Sequence, residues 1–448
     1  MDQKLFEKYD IPAPRYTSYP TVPYWSESPT TEQWVRELRK ESVKESALWS
    51  LYIHIPYCET LCTFCGCNTV ITRDHKRESP YVETVLNEWS LYQEQVPELL
   101  QRPLRQIHLG GGTPTFLSAE QLKKLLDPIY SKAKLHFEDF EGSIEVDPRR
   151  TQKDQLLVLR EFGFDRVSMG VQDFDPEVQR LVNRVQPYNI TKELTEEARS
   201  MGYRSVNFDL IYGLPKQSLA TMEKTIALTV ELKPERIALY SFALVPWIKP
   251  AQRLFKDDEL PRGAEKRALY ELARAQLTAA GYVEIGMDHF ALPTDSLAQA
   301  AREQSLHRNF MGYTDQRTSI LLGLGVSSIS ETPTCFHQNE KVLPSYEKLV
   351  RSKKLPTFRG HLLTDEDQLK REQILQLITT LEVQLRASEF DDAKAFLSEL
   401  ESDGLVEFEG KTLRLTEKGK PFLRNACMAF DQRLRSKQPE ARTFSQSV

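Results

Sequence analysis

Residues 52–68 read Tyr52-Ile-His-Ile-Pro-Tyr-Cys58-Glu-Thr-Leu-Cys62-Thr-Phe-Cys65-Gly-Cys67-Asn68, and they hold four of the six cysteines in the chain. The first three are spaced Cys-x3-Cys-x2-Cys. The apolar run from Ser50 to Ile55 predicts a buried strand. Pro56 ends it, because proline supplies no N–H to a ladder. The cysteines therefore belong to a loop leaving the end of a strand. Three thiolates on one tight loop can converge on one soft metal centre. Structural zinc takes four ligands, usually from two separated pairs, and no second Cys-x2-Cys exists here; Cys335 and Cys427 stand alone. An iron–sulfur cluster takes one ligand per iron, so three cysteines leave one iron open to a group that is not protein. Cys67 is a fourth donor, but in an extended loop it would point away from Cys65.

Working outward, strands and helices alternate from Ser50 to about Leu244. The expected strands are 51–55, 106–109, 142–146, 166–171, 205–211 and 236–242, with helices at 80–95, 119–133, 153–162, 176–182 with 190–201, and 219–232. Six β–α units imply a parallel sheet with right-handed crossovers, curled into a complete or partial barrel. Such barrels carry their sites at the C-terminal ends of the strands, which is where the cysteine loop falls. Later strands also end in polar or glycine motifs. Strand two runs into Gly110-Gly111-Gly112-Thr113-Pro114, which lets backbone approach a ligand and lacks the Gly-Lys-Ser/Thr of a P-loop; the bland alternative is a tight turn. Strand three ends in Glu145-Val-Asp147-Pro, with carboxylates suited to ribose hydroxyls or an ammonium, although Asp147 also fits a helix N-cap. Strand four gives Ser168-Met-Gly-Val-Gln172-Asp173, followed by Arg184, for which a solvated face is the competing reading. Asp209 and Ala243 close strands five and six. Polar residues on successive strands are what a large cofactor needs.

Four segments are expected: an N-terminal arm and helix at 1–48, the barrel core at 49–250, an extension on the substrate side at 251–364, and a C-terminal winged-helix-like module at 365–448. The arm is rich in proline and aromatics around Arg15, which suits either a surface-packed segment or a lid. Residues 282–290 read as one strand, and His289 as a core or turn residue or as an acid–base group. In the last module a helix at 388–404 precedes a hairpin turning at Glu409-Gly-Lys, then a helix at 417–435. Glu407, Glu409 and Asp403 make that wing a poor phosphate surface. The chain has 448 residues, 40% of them hydrophobic, and a net charge of −5. That length suits one large barrel with additions. No run approaches the roughly 18 apolar residues of a membrane span, and MDQKLFEKYD lacks a signal peptide's apolar segment. The clustered cysteines suit a reducing compartment, so a cytoplasmic enzyme is expected, with no nucleic-acid partner.

The cysteine spacing, with aromatic Phe64 before the last cysteine, resembles the radical S-adenosylmethionine (SAM) superfamily. That superfamily's usual Gly-Gly-Glu is absent. The departure is matched by one of its families, the oxygen-independent coproporphyrinogen III oxidases (coproporphyrinogen dehydrogenases), which carry Gly-Gly-Gly-Thr-Pro. This resemblance covers nearly the whole chain: Pro14-Arg-Tyr-Thr-Ser-Tyr-Pro-Thr21, Ile144-Glu-Val-Asp-Pro148, Ser168–Phe174, Asp209–Gln217, Gly286-Met-Asp-His-Phe-Ala291 and His307-Arg-Asn-Phe310. It implies a partial (β/α)6 barrel in which Cys58, Cys62 and Cys65 hold a [4Fe–4S] cluster and SAM chelates the fourth iron. It also implies two SAM molecules per site, with Tyr52, Gly111, Glu145 and Ile329 around the first, and Phe64, Gly112, Thr113, Gln172, Arg184, Asp209 and Ala243 around the second. Cys67 and Tyr52 are its candidates for a direct chemical role. The implied reaction is the oxidative decarboxylation of two propionates of coproporphyrinogen III to vinyl groups, giving protoporphyrinogen IX for haem and porphyrin biosynthesis. The implied partner is an electron donor such as flavodoxin or ferredoxin, and the working unit a monomer. A related haem chaperone usually lacks Cys67 and the Pro-Arg-Tyr-Thr-Ser-Tyr-Pro arm, both present here. A haem-degrading radical SAM methyltransferase and a zinc-binding interaction protein also compete with this assignment.

Overall fold

The computed structural model describes residues 3–136, 138–436, 444 and 446. Residues 1–2 of the expected arm and 437–443, 445 and 447–448 of the expected C-terminal module lie outside them. Strands β1 (Trp49–Ile55), β2 (Pro103–Gly111), β3 (Glu141–Val146), β4 (Phe164–Gln172), β5 (Ser205–Tyr212) and β6 (Arg236–Ser241) pair in parallel in that order. Helices follow them as the βα pattern requires: α1 (Glu78–Gln95) after β1, α2 (Ala119–Tyr130) after β2, α3 (Lys153–Glu161) after β3, α4 (Pro176–Leu181) and α5 (Tyr188–Ser200) after β4, and α6 (Leu219–Leu232) after β5.

The period-two pattern along these strands separates two environments. In β4, Val167, Met169 and Val171 are buried, while Ser168, Gly170 and Gln172 are half-exposed. In β5, Val206, Phe208 and Leu210 alternate in the same way with Asn207, Asp209 and Ile211. The apolar set packs in one core with Leu122, Leu126, Leu156 and Ile226 of the helices. The polar set lines the other face.

The sheet extends past six strands at both edges. A seventh parallel strand, β9 (Ile320–Leu324), pairs with β1, and the antiparallel β10 (Ile329–Thr332), β11 (Cys335–Asn339) and β12 (Thr357–Leu362) continue beyond it. At the other edge β6 meets β8 (His289–Ala291), which pairs with β7 (Val283–Ile285). The ladder runs open from β7 to β12 and does not close. The single strand expected at 282–290 is thus a hairpin. Gly286 takes a positive φ of +63°, a conformation that favours glycine.

The C-terminal residues form the helix–strand–helix–hairpin order of a winged helix: Asp365–Thr380, Glu382–Gln384, Ala387–Ser402, then Val406–Glu409 paired with Thr412–Leu415. The helix expected at 417–435 is broken into short turns at Lys420–Phe422, Leu423–Cys427, Met428–Phe430 and Gln432–Ser436. Pro421 interrupts it, and Gly419 lies so close to Leu405 that a Cβ there would stand 1.8 Å from the Leu405 carbonyl oxygen. The arm belongs to this module's core: Leu5, Phe6, Tyr9, Tyr16 and Tyr19 cluster with Phe422, Leu423 and Phe430. Trp25 is buried against Phe310 and Phe336. Tyr16, Tyr19 and Trp25 of the arm are thus buried in contacts within the protein. Among the described residues no helix is long and apolar enough to cross a membrane.

Helix α1 fixes the end of β1 from outside. Tyr81 donates to the His54 carbonyl at 2.6 Å and accepts from the Val326 N–H at 3.1 Å. Glu88, fully buried, accepts from Gly325 N at 2.8 Å, Tyr346 Oη at 2.6 Å and Asn339 Nδ2 at 2.6 Å. Burial lifts its carboxyl from 4.5 to about 7 against those hydrogen bonds. The native pKa lies above the unfolded one, so Glu88 contributes fully below pH 4.5 and that contribution is lost as pH rises through about 7. Urea denaturation across this window should show the loss, and Glu88→Gln should flatten it.

Candidate active site

The cysteine loop and the glycine loop leave β1 and β2 side by side. Gly112 N–H donates to Ile55 O at 2.8 Å, and Thr113 N–H to Tyr57 O at 2.9 Å. Opposite, Val70 N–H donates to Pro56 O at 2.8 Å and Thr72 N–H to Cys58 O at 2.9 Å. Asn183 Nδ2 donates to Leu61 O at 2.7 Å, Lys249 Nζ to Cys67 O at 2.8 Å, and Gln252 Nε2 to both Phe64 O at 3.3 Å and Ala243 O at 3.2 Å. His54, kept neutral by burial, donates from Nε2 to Asn68 O at 2.9 Å and accepts from Tyr52 Oη at Nδ1, 3.0 Å away.

This frame encloses a cavity of about 290 Å³ at the C-terminal ends of the parallel strands. Cys58, Cys62, Phe64, Cys65, Cys67, Gly111, Gly112, Thr113, Glu145, Gln172, Arg184 and Asp209 all line it. Tyr52, Ala243 and Ile329 do not. The Tyr52 ring lies under the glycine loop, stacked on His108 with centroids 5.9 Å apart. Ala243 shares Gln252 with the cysteine loop, and Ile329 begins β10 beside Phe336 and Trp25. Cys67 does not point away: the loop bends, with Cys65 N–H on Cys62 O at 3.0 Å, and Cys67 lines the same cavity as Cys65.

The electrostatics fall into two walls. Glu145 accepts from Gly111 N–H at 3.0 Å and meets His108 Nε2 at 3.4 Å; burial opposes its charge, and these contacts hold its carboxyl below the usual value. It lies deep, yet 44% of its side chain faces the open cavity. Asp209 is pushed up to about 6 by burial and by Glu145, against hydrogen bonds from Ser168 at 3.0 Å and Asn207 at 2.9 Å. On the cysteine side, Asp147 pairs with Arg149 at 2.6 Å and Arg184 at 3.4 Å, which outweigh the cost of burial and lower its carboxyl pKa. Asp147 is therefore no N-cap; helix α3 starts later, at Lys153, with Gln152 before it. Arg184 is no solvated face either, at 8% exposure. Its Nη2 donates to Gly170 O at 2.6 Å, and its buried Nε has no partner. The neighbouring Cys67 thiol, with Lys249 and Arg184 nearby, lowers Cys65 against burial, whereas burial raises Cys58 to about 11.

A second cavity of about 140 Å³ continues down the polar face of the sheet, sharing Glu145, Ser168, Asp209 and Tyr240 with the first. His289 lines it, with Asp288 Oδ1 2.7 Å from its Nδ1. Among the described residues no three His, Cys, Asp or Glu side chains form a single-ion site. A cluster asks for something else, one cysteine for each of several irons around a shared space.

A sequence model of the Radical SAM superfamily matches residues 52–229. The oxygen-independent coproporphyrinogen III oxidase of Salmonella typhimurium is 41% identical over 447 residues, covering 97% of this chain and 96% of that one. The enzyme of the same name from Escherichia coli is also 41% identical, over 446 residues. The chain belongs to the oxygen-independent coproporphyrinogen III oxidase family. The solved structure of coproporphyrinogen III oxidase from Escherichia coli, described as a radical SAM enzyme, superposes with a TM-score of 0.90 at 40% identity, covering 97% of this chain and 99% of that one.

Radical SAM membership brings a [4Fe–4S] cluster and SAM, and the cavity fits them. It offers three cysteines in the required order, the unpartnered Arg184 Nε, and a backbone cradle at Gly111–Gly112. His54, Arg149, Lys249 and Gln252 went unnoticed in the sequence. Arg149 directly follows the Glu145-Val-Asp147-Pro148 motif, which was a usable signal; Lys249 and Gln252 lie in a segment without periodicity, which was not.

The cradle is testable. A Cβ on Gly112 would stand 2.7 Å from Pro56 O and 2.8 Å from Tyr57 O, both backbone. Gly112→Ala should force the two loops apart at about 1–3 kcal/mol. Hydrogen exchange at the amides of residues 112 and 113 should rise, and iron retained after anaerobic reconstitution should fall.

Proposed function

We propose that this chain catalyses the oxygen-independent oxidative decarboxylation of two propionate side chains of coproporphyrinogen III to vinyl groups, yielding protoporphyrinogen IX. The observation that carries it is a cysteine loop, glycine cradle and carboxylate wall converging on one cavity, in a chain that aligns with its named relatives along nearly its whole length. Cys58, Cys62 and Cys65 ligate the cluster, one iron each. When bound, the cluster and SAM supply the radical that removes hydrogen from the propionate β-carbon, after which carbon dioxide and one electron leave.

The protein's share is binding, orientation and exclusion of water. Glu145, charged and only partly satisfied by Gly111, accepts from SAM's ammonium or ribose. Arg184 Nε donates to a carboxylate, and the Gly111–Gly112 backbone lets the ligand approach. Two SAM molecules share the site, with Tyr52, Gly111, Glu145 and Ile329 serving the first and Phe64, Gly112, Thr113, Gln172, Arg184, Asp209 and Ala243 the second. Tyr52 and Ile329 act from behind the cavity, Tyr52 through His54 and the glycine loop. Cys67, on the cavity wall, takes part in turnover without binding iron. The working unit is a monomer fed by a small one-electron protein such as flavodoxin or ferredoxin. Residues 1–48, 49–250, 251–364 and 365–448 serve as arm, catalytic core, substrate-side extension and packing module.

Anaerobic turnover of coproporphyrinogen III with SAM and a reductant, read by product mass, tests the reaction. The expected product has lost two carbon dioxide molecules; haem binding without SAM-dependent decarboxylation would instead indicate the chaperone. Cys58→Ser, Cys62→Ser and Cys65→Ser should each fall well below about four irons per chain. Cys67→Ser should keep its iron and lose turnover.

A further inference from the structure

Cys62 is the buried member of the cysteine set, and it is the one that two cations address. Arg184 Nη1 stands 3.6 Å from its Sγ and Arg149 Nη2 3.8 Å. Both guanidiniums are clamped by one carboxylate. Asp147 Oδ2 takes Arg149 Nη2 at 2.6 Å and Arg184 Nη1 at 3.4 Å, and Asp147 Oδ1 takes Arg149 Nε at 2.9 Å and the Arg149 backbone N–H at 3.0 Å. Arg149 also reaches Thr60 Oγ1 at 3.5 Å, so it touches the cysteine loop at two places. Its side chain is only 14% exposed, and that of Asp147 only 9%. A planar guanidinium so held cannot swing to water without breaking its paired hydrogen bonds.

We propose that Arg149 is a positioning residue that sets the reduction potential of the cluster, acting on the Cys62 sulfur from a fixed place given by Asp147. This rests on Cys62 being a cluster ligand, as read above. N–H donors to a ligating sulfur withdraw charge from it, and they favour the reduced cluster, which carries one more negative charge. A fixed positive charge in a place of low dielectric acts in the same direction. Two guanidiniums against one carboxylate leave a single net positive charge beside Cys62. The redox step is a one-electron reduction of the cluster by the external donor, and Arg149 gains or loses no electron or proton in it.

The test compares the wild-type chain with Arg149→Met and Arg149→Gln, each reconstituted with iron and sulfide without oxygen. Iron and sulfide content is measured first. The potential is then read by a redox titration followed by electron paramagnetic resonance, in the absence of SAM. With the cluster intact, either neutral variant should be at least tenfold harder to reduce, a shift of about 59 mV to lower potential for a one-electron couple. Glutamine serves if methionine does not hold its iron, because it still offers Asp147 a donor. An unchanged or higher potential in a variant that holds its full cluster would overturn the proposal while leaving the cluster assignment standing. A shift that appears only when SAM is added would overturn it too, since Arg149 would then be acting on SAM. Failure of the wild-type chain to bind iron would remove the reading of the site itself, and this proposal with it.

Discussion

The site depends on two backbone hydrogen bonds that carry the β1–β2 ladder past the ends of its strands, from Gly112 N–H to Ile55 O and from Thr113 N–H to Tyr57 O. They lay the cysteine loop and the glycine loop edge to edge. Pro56 cannot donate to a ladder, but its carbonyl still accepts, and it takes Val70 N–H on the other side. The segment at 56–58 is thereby held from both flanks. The spacing between the loops is set by the absence of a side chain at Gly112, where a Cβ would stand 2.7 Å from Pro56 O and 2.8 Å from Tyr57 O. Cys58 consequently sits with its Sγ 3.3 Å from Thr113 Oγ1. From the helix side, Tyr81 and Glu88 tie the end of β1 to the turn after β9, so the strand that launches the cysteine loop has no freedom to slide.

What was legible in the sequence was what is local. Apolar alternation placed six strands and their helices to within a few residues, and the cysteine spacing marked the loop. The seventh parallel strand, Ile320–Leu324, was not legible. It is five residues long and buried throughout, so it has no alternation to read, and its partner Trp49–Ile55 lies far away in the chain. The same limit applied to the arm. Tyr16, Tyr19 and Trp25 look alike as ligand contacts and as core, and only the facing Phe422, Phe310 and Phe336 decide for core. Of the proposed contact residues, those at strand ends fell onto the cavity together, because parallel strands in register deliver their ends to one rim. Tyr52 and Ile329 are not at C-terminal strand ends, and they did not; Ala243, two residues past the end of β6, did not either.

The inner face of the sheet is unlike the packed interior of a closed barrel, where layers of branched apolar side chains fill the space. Here Gln106, Glu141, Arg166, Ser205, Asn207 and Arg236 line it. Buried ions are costly unless multiply paired. Glu141 meets Arg166 and Arg204, and Asp295 meets Arg166 at 3.4 Å and Arg236 at 2.7 Å, so the charges at the floor are cross-linked. The apolar burial that stabilises the fold lies on the other face, between sheet and helices. The apolar core and the polar cavity thus use opposite faces of the same strands.

A net charge of −5 says little about the field inside the cavity. Glu145 and Asp209 stand on the wall made by β3 and β5, while Arg184 lines the side of the cysteine loop, with Arg149 and Lys249 bonded to that loop. The cavity is therefore polarised across its width. A cationic group is favoured at the Glu145 wall and a carboxylate at the guanidiniums, and exchanging them would set like charges against each other. Each wall therefore sorts ligand groups by charge before any contact specific to a base or sugar is made, and it does so with side chains whose own hydrogen bonds already hold them in place.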